Sequence, residues 1–295
     1  TRKSLDDIGT GTISEPTAQQ RVAEVIARIE QPGTRIVRST GLAGVDALLD
    51  GGIEPGWLVV VLGAPGQGKT VLACNNLGLA AVRRSESVLY VGEMSERELI
   101  HRWLAAESGV PLRAQRRGDL TPQQWGDISA AADRMATWRW RCRPISSLAH
   151  IEAEARSMRL AHGLDVLVVD YVQLVANGLE NRVQDIEQTT RGLKLLATEL
   201  QCVVVAVSQP DKASAKGGEL TMHDGKGAGS IAADCDAMLV PLREQGTPRS
   251  GLVLAKYRHG PEQGSKLELG RLTFDGARLA FVEPSRAAQC EDEVQ

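Results

Sequence analysis

The chain reads as an α/β protein: a mostly parallel sheet covered by helices, with antiparallel hairpins at its C-terminal end. Two observations predict this. The apolar runs WLVVVLG (57–63), SVLYVG (87–92), DVLVVDY (165–171) and CVVVAVS (202–208) do not alternate with polar residues, and segments of helical period separate them. Strands apolar on both faces belong to parallel sheets covered on both sides. After residue 241 the pattern changes to GLVLAKYR (251–258), SKLELG (265–270) and RLTFDGARLAF (271–281). These are spaced like hairpins, and Asp275-Gly276 is a strong turn signal.

Residues 1–16 show no periodicity and read as a flexible lead-in. In TAQQRVAEVIARIEQPG the residues Val22, Val25, Ile26 and Ile29 form one stripe of a 3.6-residue period, and Gln31-Pro32-Gly33 stops the helix. That stripe is buried either in its own core or against a neighbouring subunit. The run 57–63 leads through a Gly-rich turn into a helix reaching about Val82. Ser95 and Glu98 form a capping box that opens a helix ending near Gly109, and Pro122 sits at the first position of a helix running to about Met135. Trp138-Arg139-Trp140-Arg141-Cys142-Arg143 alternates aromatic and basic residues. Placed between two helices, it reads as a sheet-edge strand with its arginines on the wet face. Helices over 148–162 and about 182–200 flank the run 165–171. The tail AAQCEDEVQ is polar and reads as frayed.

With 295 residues, 42% of them hydrophobic, the chain is long enough for a core without disulfide staples and too apolar to be disordered. No apolar run approaches the roughly 20 residues that span a bilayer. The five cysteines (Cys74, Cys142, Cys202, Cys235, Cys290) lack metal-finger spacing, and the five histidines lack HExxH, which argues against a zinc site. A reduced, cytoplasmic setting fits. The formal net charge of -3 is no nucleic-acid signature, so any such binding rests on local patches. The cluster Arg113, Arg116, Arg117 reads first as a solvated face.

Gly63-Ala64-Pro65-Gly66-Gln67-Gly68-Lys69-Thr70 fits G-x-x-x-x-G-K-[ST] directly after a predicted strand and before a predicted helix, the context that this phosphate-binding motif requires. Backbone N–H groups of the loop and the helix N-terminus face the phosphates, Lys69 reaches the outer ones, and the Thr70 hydroxyl suits Mg²⁺. Asp170 ends the strand VLVVD at the edge where α/β ligands bind and suits the second acid of the metal site. Glu93 ends the strand after the phosphate loop, where a carboxylate can take a proton from an attacking water or simply cap a helix. Gln209 follows the CVVVAVS strand, where it can contact a γ-phosphate.

Gly92-Glu93-Met94-Ser95, Val169-Asp170-Tyr171-Val172-Gln173-Leu174, Val207-Ser208-Gln209, Gly229-Ser230-Ile231 with Asp234 and Asp236, and Ala255-Lys256-Tyr257-Arg258-His259-Gly260-Pro261 occur in that order. Over roughly residues 17–282 their order and spacing resemble the ATPase domain of DnaB-type replicative helicases, a RecA-like fold. Thr40-Gly41 with Asp46 and Leu49 resembles the entry segment of such domains. The resemblance implies ATP and Mg²⁺ as cofactors, Glu93 as catalytic base, Asp170 as the metal-binding acid and Gln209 as γ-phosphate sensor. Arg258 would be an arginine finger, with Lys256 beside it, both entering a neighbouring subunit's site. It implies a homo-oligomer, a hexameric ring, moving 5′ to 3′ on single-stranded DNA, with a helicase loader or primase as candidate partners and no membrane.

The segment 209–230, QPDKASAKGGELTMHDGKGAGS, is rich in Gly, Ser and Lys and reads as a mobile loop. Lys226, Gly227 and Gly229 align with the family loop that holds DNA phosphates, and one cation per subunit around a ring makes an electrostatic track. The implied organisation is a flexible segment 1–16, a linker helix and connection 17–40, a RecA-like ATPase domain 41–284 and a tail 285–295. The family's N-terminal helical domain, which meets primase, is absent from these residues, as in a short phage- or plasmid-type form or a trimmed chain. His259 stands where the family has Asn. Pro65-Gly66 and Gly51-Gly52 are also similar to KaiC- and RadA-like proteins. A recombination or repair ATPase and a regulatory ATPase without nucleic acid are therefore the rival readings. Unwinding of forked duplex separates the first from a helicase, and stimulation by single-stranded DNA separates the second.

Overall fold

The computed structural model describes residues 17–31, 35–175, 181–210, 228–260 and 266–284. The chain divides into two compact units, Thr1–Ile36 and Val37–Gln295. In the first, α1 (Ala18–Glu30) opens with a reciprocal capping box between Thr17 and Gln20. Its stripe of Val22, Val25, Ile26 and Ile29 is exposed.

The second unit is built on one nine-stranded sheet. β1 (Leu58–Leu62), β2 (Ser87–Gly92), β3 (Arg139–Pro144), β4 (Val166–Asp170), β5 (Val203–Ser208) and β6 (Ala237–Arg243) are parallel. β7 (Arg249–Tyr257), β8 (Lys266–Asp275) and β9 (Ala280–Val282) continue it antiparallel. The order is β3-β2-β4-β5-β1-β6-β7-β8-β9. β1, β2, β4 and β5 are buried along their whole length, which explains their unalternated apolar sequences. Side chains from the two sheet faces feed two cores. One includes Val59, Val61, Leu72, Trp103 and Leu254, and the other Leu58, Val60, Leu167, Leu196 and Met238. Among the described residues no helix is long and apolar enough to cross a membrane.

Helices α4 (Glu96–Ser108), α6 (Pro122–Met135), α7 (Leu148–His162) and α8 (Arg182–Leu200) follow the predicted spans. β3 takes the edge position that its aromatic-basic pattern predicts. Trp138 and Trp140 pack edge-on against Trp103 at 5.8 and 5.2 Å, while Arg139 is exposed.

Four local features differ from the sequence reading. The helix after the phosphate loop is π-helical over Val71–Gly78 before it becomes α3 (Leu79–Arg83). The short helices α2 (Ala43–Leu48) and α5 (Leu112–Arg117) carry too few residues to display a period. α5 presents Arg113, Arg116 and Arg117 as an exposed face, with Arg116 3.9 Å from Glu98. SKLELG and RLTF form one strand, because Gly270 at φ +99° continues β8 with an irregularity instead of turning it. The end of the segment read as a loop is helical: α9 spans Ala228–Asp234.

Candidate active site

Parallel register brings four strand ends to one level. Leu62 of β1 pairs with Ser208 of β5, Asp170 of β4 pairs with Val207, and Gly92 of β2 pairs with Asp170. The residues that follow these ends (the loop from Gly63, Glu93, and Gln209) therefore emerge side by side at the C-terminal edge of the sheet, where α/β ligands bind. Glu93 is exposed there, and its backbone N–H donates to the Asp170 carbonyl at 3.1 Å. Gly92 cannot carry a side chain, since a Cβ would lie 2.8 Å from the Asp170 carbonyl oxygen and closer still to the Tyr90 ring.

The phosphate loop is closed on itself. Lys69 is buried, and its ammonium donates to the Ala64 carbonyl at 2.9 Å. Desolvation lowers its pKa, opposed by the Asp170 carboxylate. Asp170 is buried beside it; burial raises its pKa and the Glu93 charge adds to this, while the Thr70 hydroxyl donates to it and holds the pKa down. Gly68 lies at φ +87°, and a Cβ there would approach the Phe281 ring to 2.7 Å. Gly68→Ala is therefore expected to weaken nucleotide binding by at least about tenfold and to cost about 1 kcal/mol or more of stability, since a side chain is strained at this φ. Nucleotide titration and thermal unfolding measure both effects, and an unaltered loop affinity contradicts this account of the turn.

Thr70 and Asp170 supply two hard oxygen donors already in contact with each other, a donor set that suits Mg²⁺ with its remaining positions filled by water and phosphate.

Three features of this edge have no local signature in the sequence. The Gln173 amide donates to the Ser208 hydroxyl at 2.8 Å and to the Gln209 carbonyl at 2.9 Å, and its oxygen accepts from the Gln209 N–H at 3.3 Å. This ties the ends of β4 and β5 together. The Gln67 side chain accepts from the Arg243 backbone N–H at 2.7 Å, joining the phosphate loop to β6. The Arg243 guanidinium lies 3.5 Å from the centroid of the Phe274 ring and donates to the Gly66 carbonyl at 3.4 Å. A flat cation on an aromatic face thus stands beside the loop. The resemblance names Gln173 only as a motif letter; Arg243 and Phe274 carry no spacing signal because the sheet brings them together.

Lys256 and Arg258 are elsewhere. Arg258 donates its backbone N–H to the Asp236 carbonyl at 2.8 Å, and the Asp236 N–H donates in turn to the Leu58 carbonyl at 2.9 Å. Arg258 is therefore level with the N-terminal end of β1. Its guanidinium donates to the carbonyls of Ala233 at 2.8 Å and Asp234 at 3.2 Å. The Lys256 ammonium donates to the Cys235 carbonyl at 2.7 Å and also contacts the Ala232 carbonyl, both at the C-terminal end of α9. Gly229 lies in the first turn of α9. Lys226 and Gly227 lie outside the described residues.

The family model of the DnaB-like helicase C terminal domain matches residues 38–275. The chain belongs to this family. It is similar to the replicative DNA helicase DnaB of Leifsonia xyli, with 31% identity over 276 residues, 89% of this chain and 59% of that protein. The DnaB of Treponema pallidum is 33% identical over 78% of this chain and 53% of its own length. The chain thus spans little more than half the length of these DnaB relatives. Among solved structures it resembles an ATPase domain with a TM-score of 0.82, 22% identity and coverage of 92% of this chain and 100% of that one. A DnaB-like replicative helicase studied for its interactions with primase gives a TM-score of 0.75 at 22% identity, covering 92% of this chain and 68% of that one. These likenesses show a RecA-like ATPase fold. The same fold includes more distant proteins such as the RadB recombinase, at a TM-score of 0.54 and 18% identity over 84% of this chain and all of that one.

Proposed function

We propose that this chain is the motor part of an ATP-dependent, ring-forming DNA helicase whose active site is shared between neighbouring copies. The observation that carries this is the separation of the two halves of the site on one chain. Arg258 is level with Leu58, and the phosphate loop begins five residues further along β1 at Gly63. At a strand rise of roughly 3.3 Å per residue that is about 16 Å along the sheet. An arginine side chain spans less than half of it, so Arg258 cannot serve its own nucleotide. Two different edges that complete each other form a head-to-tail interface, which closes into a ring where the rotation between copies closes and otherwise runs on as a filament; the ring is the arrangement proposed. The hexamer is the family's ring size and the one proposed.

The chemistry follows from the residues at each edge. ATP lies with its phosphates in the loop 63–70, and Lys69 meets the outer ones. Arg243 and Phe274 offer a planar surface for the base. Thr70 and Asp170 would hold Mg²⁺, which neutralises phosphate charge when bound. Glu93 accepts a proton from a water molecule as the water oxygen bonds to the γ-phosphorus. The bond to the bridging oxygen breaks, and its electron pair leaves with ADP. Gln209 contacts the γ-phosphate, and Arg258 with Lys256 of the next copy stabilises the charge that develops.

The segment 17–40 acts as the linker in this proposal. The four exposed apolar residues of α1 support that reading, because such a stripe is unfavourable in water and suits a neighbouring copy. The track for single-stranded DNA in this proposal is the segment containing Lys226 and Gly227. Lys226→Ala is expected to weaken DNA binding and reduce the salt slope by about 1 while basal hydrolysis persists. Unchanged affinity at several salt concentrations removes that segment from the track. Unwinding of a forked duplex with ATP tests the helicase assignment, and stimulation of hydrolysis by DNA without unwinding contradicts it. A loader or primase is a further proposed partner, tested by co-purification with the ring.

A further inference from the structure

The end of β7 is anchored by one buried carboxylate. Asp236 is 1% exposed and lies between α9 and β6. Its Oδ2 accepts from the Leu58 backbone N–H and from the Lys194 ammonium, each at 2.7 Å, and Lys194 also donates to the Gly56 carbonyl at 2.8 Å. Its Oδ1 faces the Arg258 guanidinium at 3.4 Å and the His259 imidazole at 3.8 Å. The His259 ring stacks on Trp57 at 4.7 Å with 12° between the planes. Oδ2 alone thus serves the start of β1 and α8, and Oδ1 is turned toward the two residues that follow β7.

That division has a consequence for Arg258. The side chain is exposed, and a free arginine spreads over many rotamers whose restriction costs up to about 2 kcal/mol. The carboxylate on one side and the two α9 carbonyls on the other confine the guanidinium before any neighbour arrives. A preset cation loses less entropy on reaching a transition state. We infer that Asp236 is the positioning residue for Arg258, setting its guanidinium at the subunit face. This rests on the reading of Arg258 as a cation supplied to the adjoining copy.

Asp236→Asn separates this role from a purely structural one. The amide oxygen can still accept from Lys194 and Leu58, which leaves the NH₂ group facing the Arg258 guanidinium, donor against donor. In rings of this variant kcat is expected to fall at least about tenfold while nucleotide KM stays within about twofold. Mixed with Lys69→Ala subunits, which carry an intact Arg258, the variant is expected to recover turnover; mixed with Arg258→Ala subunits it is not. Wild-type kcat overturns the inference. So does failure to recover with Lys69→Ala under conditions where Arg258→Ala does recover, because the defect then lies in the variant's own nucleotide site. If Arg258→Ala itself fails to recover with Lys69→Ala in rings shown to be mixed, the shared-site reading falls and this inference with it. Should Asp236→Asn fail to fold, Asp236→Glu keeps the charge and displaces it by one methylene. The same selective loss of kcat supports the role, and unchanged kcat overturns it.

Discussion

Rings made only of Arg258→Ala subunits are expected to hydrolyse ATP at about a thousandth of the parent rate or less, the range seen when an arginine finger is withdrawn from phosphoryl transfer. Nucleotide affinity is expected to stay near the parent value, since each copy keeps its own cradle and the neighbour's Arg258 meets charge that develops only in the transition state. The fold is expected to survive, because Arg258 is exposed and Asp236, its buried partner, keeps Lys194. Steady-state turnover beside fluorescent-nucleotide titration reads both quantities. Turnover within a few-fold of the parent would remove Arg258 from the chemistry.

Lys69→Ala is expected to lose both binding and turnover. A charge-assisted contact to a transferring phosphate contributes about 3 kcal/mol or more in a dry site, which corresponds to a loss of about a hundredfold or greater. Lys69 is also the cation beside the buried Asp170, so its removal leaves a carboxylate with less compensation and lowers the melting temperature. Bound nucleotide at millimolar concentration is expected not to restore hydrolysis. Retention of ordinary turnover would overturn the assignment of the loop 63–70 as the phosphate cradle.

What the sequence displayed of this architecture is what local physics writes locally. The capping boxes of Ser95 with Glu98 and of Thr121 with Gln124 join residues three apart, so the helix starts were legible without a fold. The phosphate loop and the carboxylates at strand ends were legible because register between parallel strands turns sequence position directly into position along the edge. Other features depend on partners distant in the chain. The Arg243 stack on Phe274 exists because β6 and β8 flank β7, and the Asp236 cluster joins Leu58, Lys194 and Arg258 across three elements. The π-helical turn of Val71–Gly78 keeps an apolar pattern that an α-helix would share, so its period gives no warning. SKLELG and RLTF read as two segments, yet pairing with β7 carries one strand through Gly270.

The separation of cradle and guanidinium on one chain is tested most directly by mixing. Lys69→Ala subunits have a disabled cradle and an intact Arg258, and Arg258→Ala subunits have the reverse. Each is expected to be inactive alone. Co-assembled in equal amounts, with mixed rings verified by native mass spectrometry, they are expected to regain a measurable fraction of ATP hydrolysis wherever an intact cradle faces an intact arginine. Verified mixed rings that remain as inactive as either parent variant, or a monomeric chain hydrolysing ATP at the full rate, would contradict the shared site.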